Sequence, residues 1–378
     1  MPRYPQIDCL RGLAILGILL LNIVSFALPA AAYLNPAWQG PPSHIDTLLW
    51  AVLELFAEMK FLSLLGLLFG AGIIFQLPRG MSWMTHRLIW LVVLGALHGI
   101  LLWQGDILLS WGLTGLAVYR IIAYSDRSGN LLRTGAVFYL FGVGLLAAYG
   151  LLSGHNPGSD WLPQPADIAA ERTLAIKGGW LAIHDRLEQF DGRLIALVTQ
   201  YGWELAGLML IGAALTRQGW LLGQRSIHHY QRCYRFLLPI GLVLTGISTY
   251  LQYATGWSFR WSGFWLQIPL ELGSPFIALG YIALFHAHWP RISGWRLTSL
   301  LIQVGRMALS NYLLQTLLCT LLFSVLGYFM ALTRGQLLAV VPLIWALNLA
   351  FSYYWLRYFR QGPLEWCWRR LTRWTSGV

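Results

Sequence analysis

A histidine and an aspartate stand eight residues apart in LGALHGILLWQGDILLSWGL, a stretch that is otherwise almost wholly apolar. An ionisable residue in such surroundings is costly unless it is paired, and so marks a site. In one continuous helix His98 and Asp106 would be about 12 Å apart along the axis, so they meet only if the chain turns at Gly105. Brought together, a neutral imidazole can take a proton from a hydroxyl or amine while the carboxylate fixes which ring nitrogen is free. The pair has a structural alternative of equal standing: Asp106 as N-cap of the following helix and His98 as an interhelical hydrogen bonder.

Other polar residues interrupt apolar runs. Asn22 lies in LRGLAILGILLLNIVSF, Glu204 in QYGWELAG, Glu271 in QIPLELGSPF, and Arg306 with Asn311 in GRMALSNY. Pro269 and Pro275 flank Glu271 and remove backbone donors, which predicts a kinked or broken helix there. Irregular backbone at membrane depth is tolerated where it lines a cavity, so Glu271 is the expected pocket carboxylate, with Glu204 second. An ion pair with Arg306 is the alternative for either, and helix-to-helix hydrogen bonding is the alternative for Asn22. Gly66, Gly70 and Gly72 read as small-residue packing surfaces. No Walker motif, GxSxG elbow or HExxH is present, and Ser310 has no base beside it in sequence.

The elements that position these residues follow from composition. Of 378 residues, 57% are hydrophobic and 11% charged, against about 25% charged in soluble domains. The reading is all-α: a polytopic membrane bundle forming one transmembrane domain over residues 1–378. Ten spans are expected at 10–28, 60–77, 87–104, 107–123, 134–152, 196–216, 236–254, 262–284, 304–329 and 337–357. The first has no cleavage site after it and is expected to remain. Arginines such as Arg3, Arg79, Arg127 and Arg370 fall between spans on one side, and most acids fall on the other. Both termini are therefore expected in the cytoplasm. The net charge of +11 belongs to those short loops rather than to a basic face for nucleic acid.

Two outer connections exceed turns. Residues 29–59 carry NPAWQGPP and then an amphipathic helix expected on the membrane surface. Residues 153–195 open with GHNPGSDWLPQP, become helix-compatible from Ala166 to Phe190, and read as a lid or a solvated connector. The inner loop Arg217 to Arg235 holds four arginines, His228 and His229, and no acid. Topology explains it, and so would a cytosolic polyanion such as a nucleotide or coenzyme A, because guanidinium groups pair bidentately with phosphate. Cys9, Cys233, Cys319 and Cys367 have neither metal-ligand nor CxxC spacing, so no metal is expected.

The ordered motifs IDCLRGLAILGILLLNI, AAYLNPAW, KFLSLLGLLFGAG, LGALHGILLWQGDILLSWGL, QYGWELAGLMLIGAAL, VGRMALSNYLLQTLLC and YFRQGPLEWCWRRLT resemble the YeiB family of bacterial inner-membrane proteins along almost the whole chain. That family is similar to the transmembrane acyltransferases, which include the lysosomal heparan-α-glucosaminide N-acetyltransferase. The resemblance implies transfer of an acyl group from cytosolic acyl-CoA, acetyl-CoA above all, to an extracytoplasmic glycan or envelope acceptor. Arg11, Gly12 and Asn22 match the superfamily pattern. At the lysosomal enzyme's catalytic histidine this chain has Asn35, so His98 is left as the expected base, with Asp106 as its orienter. Asn22, Asn35, Glu271 and Asn311 are expected at the acyl pocket. Arg11, Arg225, Arg232, Arg235 and Arg306 are expected to hold the coenzyme phosphates. Expected partners are membrane lipids and the acceptor, with a homodimer as the assembly considered. A small-metabolite transporter and a non-catalytic membrane scaffold are the competing readings.

Overall fold

The computed structural model describes residues 4–154 and 156–377. Arg3, counted among the inner charges, and His155, in the outer insertion, lie outside the described residues. The described chain is helical and has no strand beyond one isolated bridge between Trp38 and Gly40.

The helices in order are α1 (Pro5–Ala27), α2 (Ala30–Leu34), α3 (His44–Phe56), α4 (Lys60–Gln76), α5 (Met81–Leu101), α6 (Leu108–Tyr124) and α7 (Ser128–Leu152). There follow α8 (Pro165–Lys177), α9 (Gly179–Glu188), α10 (Phe190–Ala196), α11 (Gly202–Arg217), α12 (Ile227–Ala254) and α13 (Gln267–Ile292). The last four are α14 (Arg296–Arg306), α15 (Ala308–Thr320), α16 (Arg334–Tyr358) and α17 (Pro363–Ser376). Among the described residues nine helical segments are long and apolar enough to cross a bilayer, and the shorter apolar α6 makes the tenth expected span. Short π-helical pieces at Leu197–Tyr201, Trp261–Trp265 and Leu321–Val325 extend α11, α13 and α15.

Two helices organise the bundle. α11 packs on α4, α6 and α7, and α1 packs on α4, α14, α15 and α16. Small residues permit this closeness. A side chain on Gly70 would strike the Met209 carbonyl, and one on Gly212 the Leu67 carbonyl, so α4 and α11 cross backbone to backbone. Gly12 and Gly305 do the same for α1 and α14, which gives the Arg11-Gly12 motif a packing role. Of the three glycines read as a packing surface, Gly66 and Gly70 face α11, whereas Gly72 faces open space.

Surface elements match their sequence. α3 is capped by Ser43, whose hydroxyl accepts from the Asp46 N–H at 3.1 Å. It exposes Ile45, Leu48, Val52 and Phe56 while burying Trp50, Leu53 and Glu54, as an interfacial helix does. Met59, at φ 59°, separates α3 from α4. At the other membrane face α17 lies against α5, with the Arg87 guanidinium 3.4 Å from the Trp368 ring centroid and Trp368 Nε1 donating to the Arg87 carbonyl at 2.8 Å.

The eighth span corrects the sequence reading. α13 runs unbroken through Pro275, and Pro269 falls in its first turn, where a missing N–H costs nothing. The carbonyl that Pro275 cannot reach is that of Glu271, four residues earlier. The Tyr139 hydroxyl of α7 donates to it at 2.7 Å and so replaces the lost intrahelical bond.

Candidate functional site

α5 and α6 are brought together by glycine. A side chain on Gly95 would strike the Leu109 backbone N–H, and one on Gly99 would press on Asp106 Cβ at 3.3 Å, so this face of α5 must be bare for α6 to fold back. The connecting turn at Gly105 lies under the Trp103 ring, which stacks on Phe26 of α1 at 4.0 Å between centroids. Asp106 is thereby delivered to His98: the carboxylate Oδ1 is 2.7 Å from Nδ1, and both side chains are almost fully buried.

The second oxygen of Asp106 accepts from the Leu109 N–H at 2.8 Å. Asp106 thus bonds the first turn of α6 and His98 at once. With the carboxylate acting as acceptor on both oxygens, Nδ1 is assigned as the donor, which leaves the lone pair on Nε2. That nitrogen lies 3.0 Å from the Thr316 hydroxyl of α15. The hydroxyl's other acceptor, the Tyr312 carbonyl, is farther at 3.4 Å. The result is a carboxylate–imidazole–hydroxyl chain, in which a base is oriented on one side and holds an O–H on the other.

α15 grips the same turn one helical turn earlier. Tyr312 accepts from the Ile107 N–H at 3.2 Å, and its ring lies 5.3 Å from the His98 ring. Thr316 and Tyr312 share a face of α15 because they are four residues apart. Neither was singled out in the sequence, although the run of Asn311, Gln315 and Thr316 in an apolar helix is a signal that could have found them.

Beside the pair is a recess of about 20 Å³ lined by Gly99, Asp106, Ser110, Arg193, Leu197 and Tyr201, among others. It holds no more than about one water. The Tyr201 and Ser110 hydroxyls are 3.0 Å apart in it. The outer insertion roofs it: Phe190, Arg193 and Leu194 come from α10, and Arg186 of α9 donates to the Leu102 carbonyl at 2.6 Å. Glu171 of α8 ties this roof to α2 by accepting from the Ala30 N–H at 3.0 Å. Burial pushes its carboxyl above the ordinary range.

The other expected site residues are dispersed. Asn311 is fully buried, with Nδ2 donating to Ser352 at 2.8 Å and to the Met307 carbonyl at 3.0 Å, and Oδ1 accepting from Asn348 at 2.9 Å. It locks α15 to α16. Asn22 is half-buried in α1. Asn35 is buried with its amide engaged, Nδ2 to the Trp161 carbonyl at 3.0 Å and Oδ1 from the Ala37 N–H at 2.9 Å. It lies on the wall of a cavity of about 570 Å³ that none of His98, Asp106 or Thr316 lines. Arg232 and Arg235 are exposed on the first turns of α12, and Arg225, just before it, donates to the Gln218 carbonyl at 3.0 Å. Arg306 donates to the Arg360 carbonyl at 3.1 Å, and Arg11 pairs with Asp8 at 3.2 Å. These arginines lie at the bundle end opposite His98.

Glu271 belongs to a second buried polar centre. Lys60 is fully buried at the start of α4, and its ammonium donates to the Glu54 carbonyl at 2.6 Å. Glu54 in turn accepts from Gln252 of α12 at 3.0 Å. Glu58 accepts from Tyr33 at 3.3 Å, and Glu204 from Gln200 at 2.8 Å. Glu54 on α3, Glu58 in the link to α4 and Glu271 on α13 thus gather around Lys60, with Glu204 of α11 beside Glu271. Ser310, without a base in sequence, meets Glu365 of α17, whose Oε2 accepts from its hydroxyl at 2.5 Å and whose Oε1 accepts from the Leu309 N–H at 2.8 Å. A carboxylate at the start of α15 suits the positive end of that helix.

The fold and the site together define a polytopic α-helical membrane protein that holds a buried histidine between a carboxylate and a hydroxyl. The chain belongs to the YeiB family. The protein called uncharacterized protein YeiB of Escherichia coli (strain K12) is 49% identical over 377 residues, covering 100% of this chain and 98% of the relative. Uncharacterized protein YxaH of Bacillus subtilis (strain 168) is 26% identical, and an uncharacterized 39.9 kDa protein of Bacillus acidopullulyticus is 28% identical. Each of these covers 98% of this chain and 94% of its own length. The family model described as a protein of unknown function, DUF418, matches residues 215–375, which include Glu271 and Thr316 but not His98.

Proposed function

We propose that the chain is an acyltransferase of the bacterial inner membrane, which moves an acetyl group from cytosolic acetyl-CoA to a hydroxyl or amine on an extracytoplasmic glycan or other envelope molecule. The observation that carries this reading is the hydroxyl held 3.0 Å from Nε2 of a histidine whose Nδ1 lies 2.7 Å from a carboxylate. That is the arrangement in which a base removes a proton from an attacking O–H. The acceptor hydroxyl takes the place of Thr316 on Nε2. As its oxygen bonds to the thioester carbon, Nε2 takes the proton; the carbon–sulfur bond breaks, and the proton passes to the departing thiolate. The burial of both His98 and Asp106 keeps water from competing as acceptor. Opening of the α9–α10 roof admits the acceptor, and the exposed inner arginines Arg225, Arg232 and Arg235 attract the coenzyme phosphates.

A carrier of small metabolites is the second reading. It is favoured by Lys60, Glu54, Glu58, Glu204 and Glu271, a charged centre at membrane depth of the kind that substrate and ion pathways use. Thermal unfolding of the purified protein separates the two. Acetyl-CoA raises the midpoint, and equimolar ATP does so less, if the chain is an acyltransferase; equal or absent shifts contradict it.

A further inference from the structure

Four arginines from separate parts of the chain come together near the start of α5. Arg11 lies on α1, Arg79 closes the short turn after α4, Arg87 lies on α5 and Arg369 on α17. Arg369, Arg79 and Arg11 are each near enough for their charge to act on Arg87, as is the carboxylate of Glu365. Like charges gathered in this way repel one another. Membrane topology accounts for the side on which arginines fall, but not for their being drawn together.

The acids nearby do not pair with Arg79 or Arg87. Glu365 accepts from the Ser310 hydroxyl and from the Leu309 and Ser310 N–H groups, and Asp8 pairs with Arg11 at 3.2 Å. Among the described residues the guanidinium groups of Arg79 and Arg87 have neither an ion pair nor a hydrogen-bond acceptor, and each is held against an indole instead. That of Arg79 lies 4.8 Å from the Trp83 ring centroid, and that of Arg87 3.4 Å from the Trp368 centroid. The rings are themselves fixed: Trp83 Nε1 donates to Gln76 Oε1 at 3.2 Å, and Trp368 Nε1 to the Arg87 carbonyl at 2.8 Å. A ring against a guanidinium cancels none of its charge and leaves its in-plane N–H fork for an acceptor. Both arginines are half-buried, so the forks stay within reach of a ligand. α5 adds to the field: it starts at Gly80 with no capping side chain and no acid in its first turn, which leaves the positive end of its dipole unmatched.

Charge and shape choose the ligand. A guanidinium fork matches two oxygens of a phosphate. A phosphate monoester carries about 1.5 to 2 negative charges and three terminal oxygens, so one group can serve both forks. A neutral ligand would leave both charges unmatched. The place is distinct from the imidazole, since Arg87 stands eleven residues before His98 on α5, about 16 Å along the axis.

We propose that the starting end of α5, with Arg11 and α17 beside it, binds a terminal phosphate group carried by a soluble ester or by a lipid headgroup. The site rests on Arg79 and Arg87 and does not depend on acyl transfer. Titration calorimetry of the full chain in detergent tests it with adenosine 3′,5′-bisphosphate against adenosine, and with phosphatidic acid against phosphatidylcholine in mixed micelles. The bisphosphate or the phosphatidic acid is expected to saturate, and the tighter of the two identifies the source; adenosine and phosphatidylcholine do not saturate. Arg79→Gln and Arg87→Gln each weaken that binding by about tenfold, as loss of a charge-assisted hydrogen bond does. Arg87→Lys keeps a cation on the Trp368 ring but loses the fork, and weakens it by about threefold. Arg291→Gln, at an exposed arginine in the last turn of α13, changes nothing. Variants are compared only at the parent's unfolding midpoint, and Arg79, in a turn between helices, carries the test if Arg87→Gln does not fold. His98→Ala leaves the affinities unchanged, so failure of the acyltransferase reading does not touch this one. The proposal is overturned if neither phosphate saturates, if adenosine or phosphatidylcholine binds as well as its charged counterpart, or if the folded Arg79→Gln variant binds as tightly as Arg291→Gln.

Discussion

Thr316 Oγ1 lies 3.0 Å from His98 Nε2, although 218 residues separate them in the chain. The contact joins the turn between α5 and α6 to the polar face of α15, where Tyr312 holds the same turn through the Ile107 N–H. If the Thr316 hydroxyl marks the place of an attacking oxygen, its chemistry and its size separate on mutation. Thr316→Ser keeps acetyl transfer within a few-fold of the parent, about 1 kcal/mol in barrier. Thr316→Val leaves Nε2 facing a methyl group and shifts the balance towards the external acceptor. Its KM for acceptor is expected to change more than its kcat. Equal loss of both parameters in the serine and valine variants would contradict this assignment.

Asp106 has two duties, and conservative substitution divides them. Asp106→Asn still offers an oxygen to the Leu109 N–H, so α6 stays capped. Its amide can present an N–H to Nδ1 and so favour the wrong tautomer. Acetyl transfer is expected to drop by about 10²-fold or more, while the unfolding midpoint moves little. Kinetics and thermal unfolding on the same preparation check it. A large fall in midpoint with retained specific activity would mean that Asp106 serves the fold alone.

The unbroken course of α13 rests on Tyr139. Pro275 leaves the Glu271 carbonyl without its helical donor, and the Tyr139 hydroxyl fills that place at 2.7 Å. Tyr139→Phe orphans a buried carbonyl and is expected to cost about 1 to 2 kcal/mol. Pro275→Ala restores an N–H. It should therefore stabilise the Tyr139→Phe background more than it stabilises the parent, by about 1 kcal/mol in a double-mutant cycle. Additive effects would refute the compensation.

Gly70 and Gly72, two residues apart on α4, give opposite predictions. Gly70→Val sets a side chain against the Met209 carbonyl and should destabilise the α4–α11 crossing by more than about 3 kcal/mol. Gly72→Val meets open space and should fall within about 0.5 kcal/mol of neutral. Reversible unfolding in mixed micelles compares them. Similar losses would contradict a backbone-to-backbone crossing at Gly70.

Much of this architecture was legible in the sequence, because the length and composition of a span are local properties. The ten apolar stretches, the surface helix after NPAWQGPP and the turn at Gly105 all follow from short windows. The His98–Asp106 contact was legible as one of two alternatives, since a turn of known length limits where Asp106 can go. Thr316 was not, because nothing local relates α15 to α5. The burial of Lys60 was not legible for a similar reason: it depends on the Glu54 carbonyl of α3 and on Glu271 of α13. The helix is continuous where Pro269 and Pro275 suggested a kink or a break, because proline rules describe a helix in isolation, and a hydroxyl from α7 supplied the missing bond.

The central claim is that His98 is the base for acyl transfer across the membrane. Inside-out membrane vesicles carrying the overproduced chain enclose native envelope acceptors and expose its cytoplasmic face to added [¹⁴C]acetyl-CoA. The account predicts that label accumulates in a coenzyme-free lumenal fraction, and that His98→Ala, present in the membrane at the parent's level and with its unfolding midpoint, abolishes this accumulation. Label transferred at the parent's rate by the folded His98→Ala variant, or no transfer by the parent itself, would contradict it.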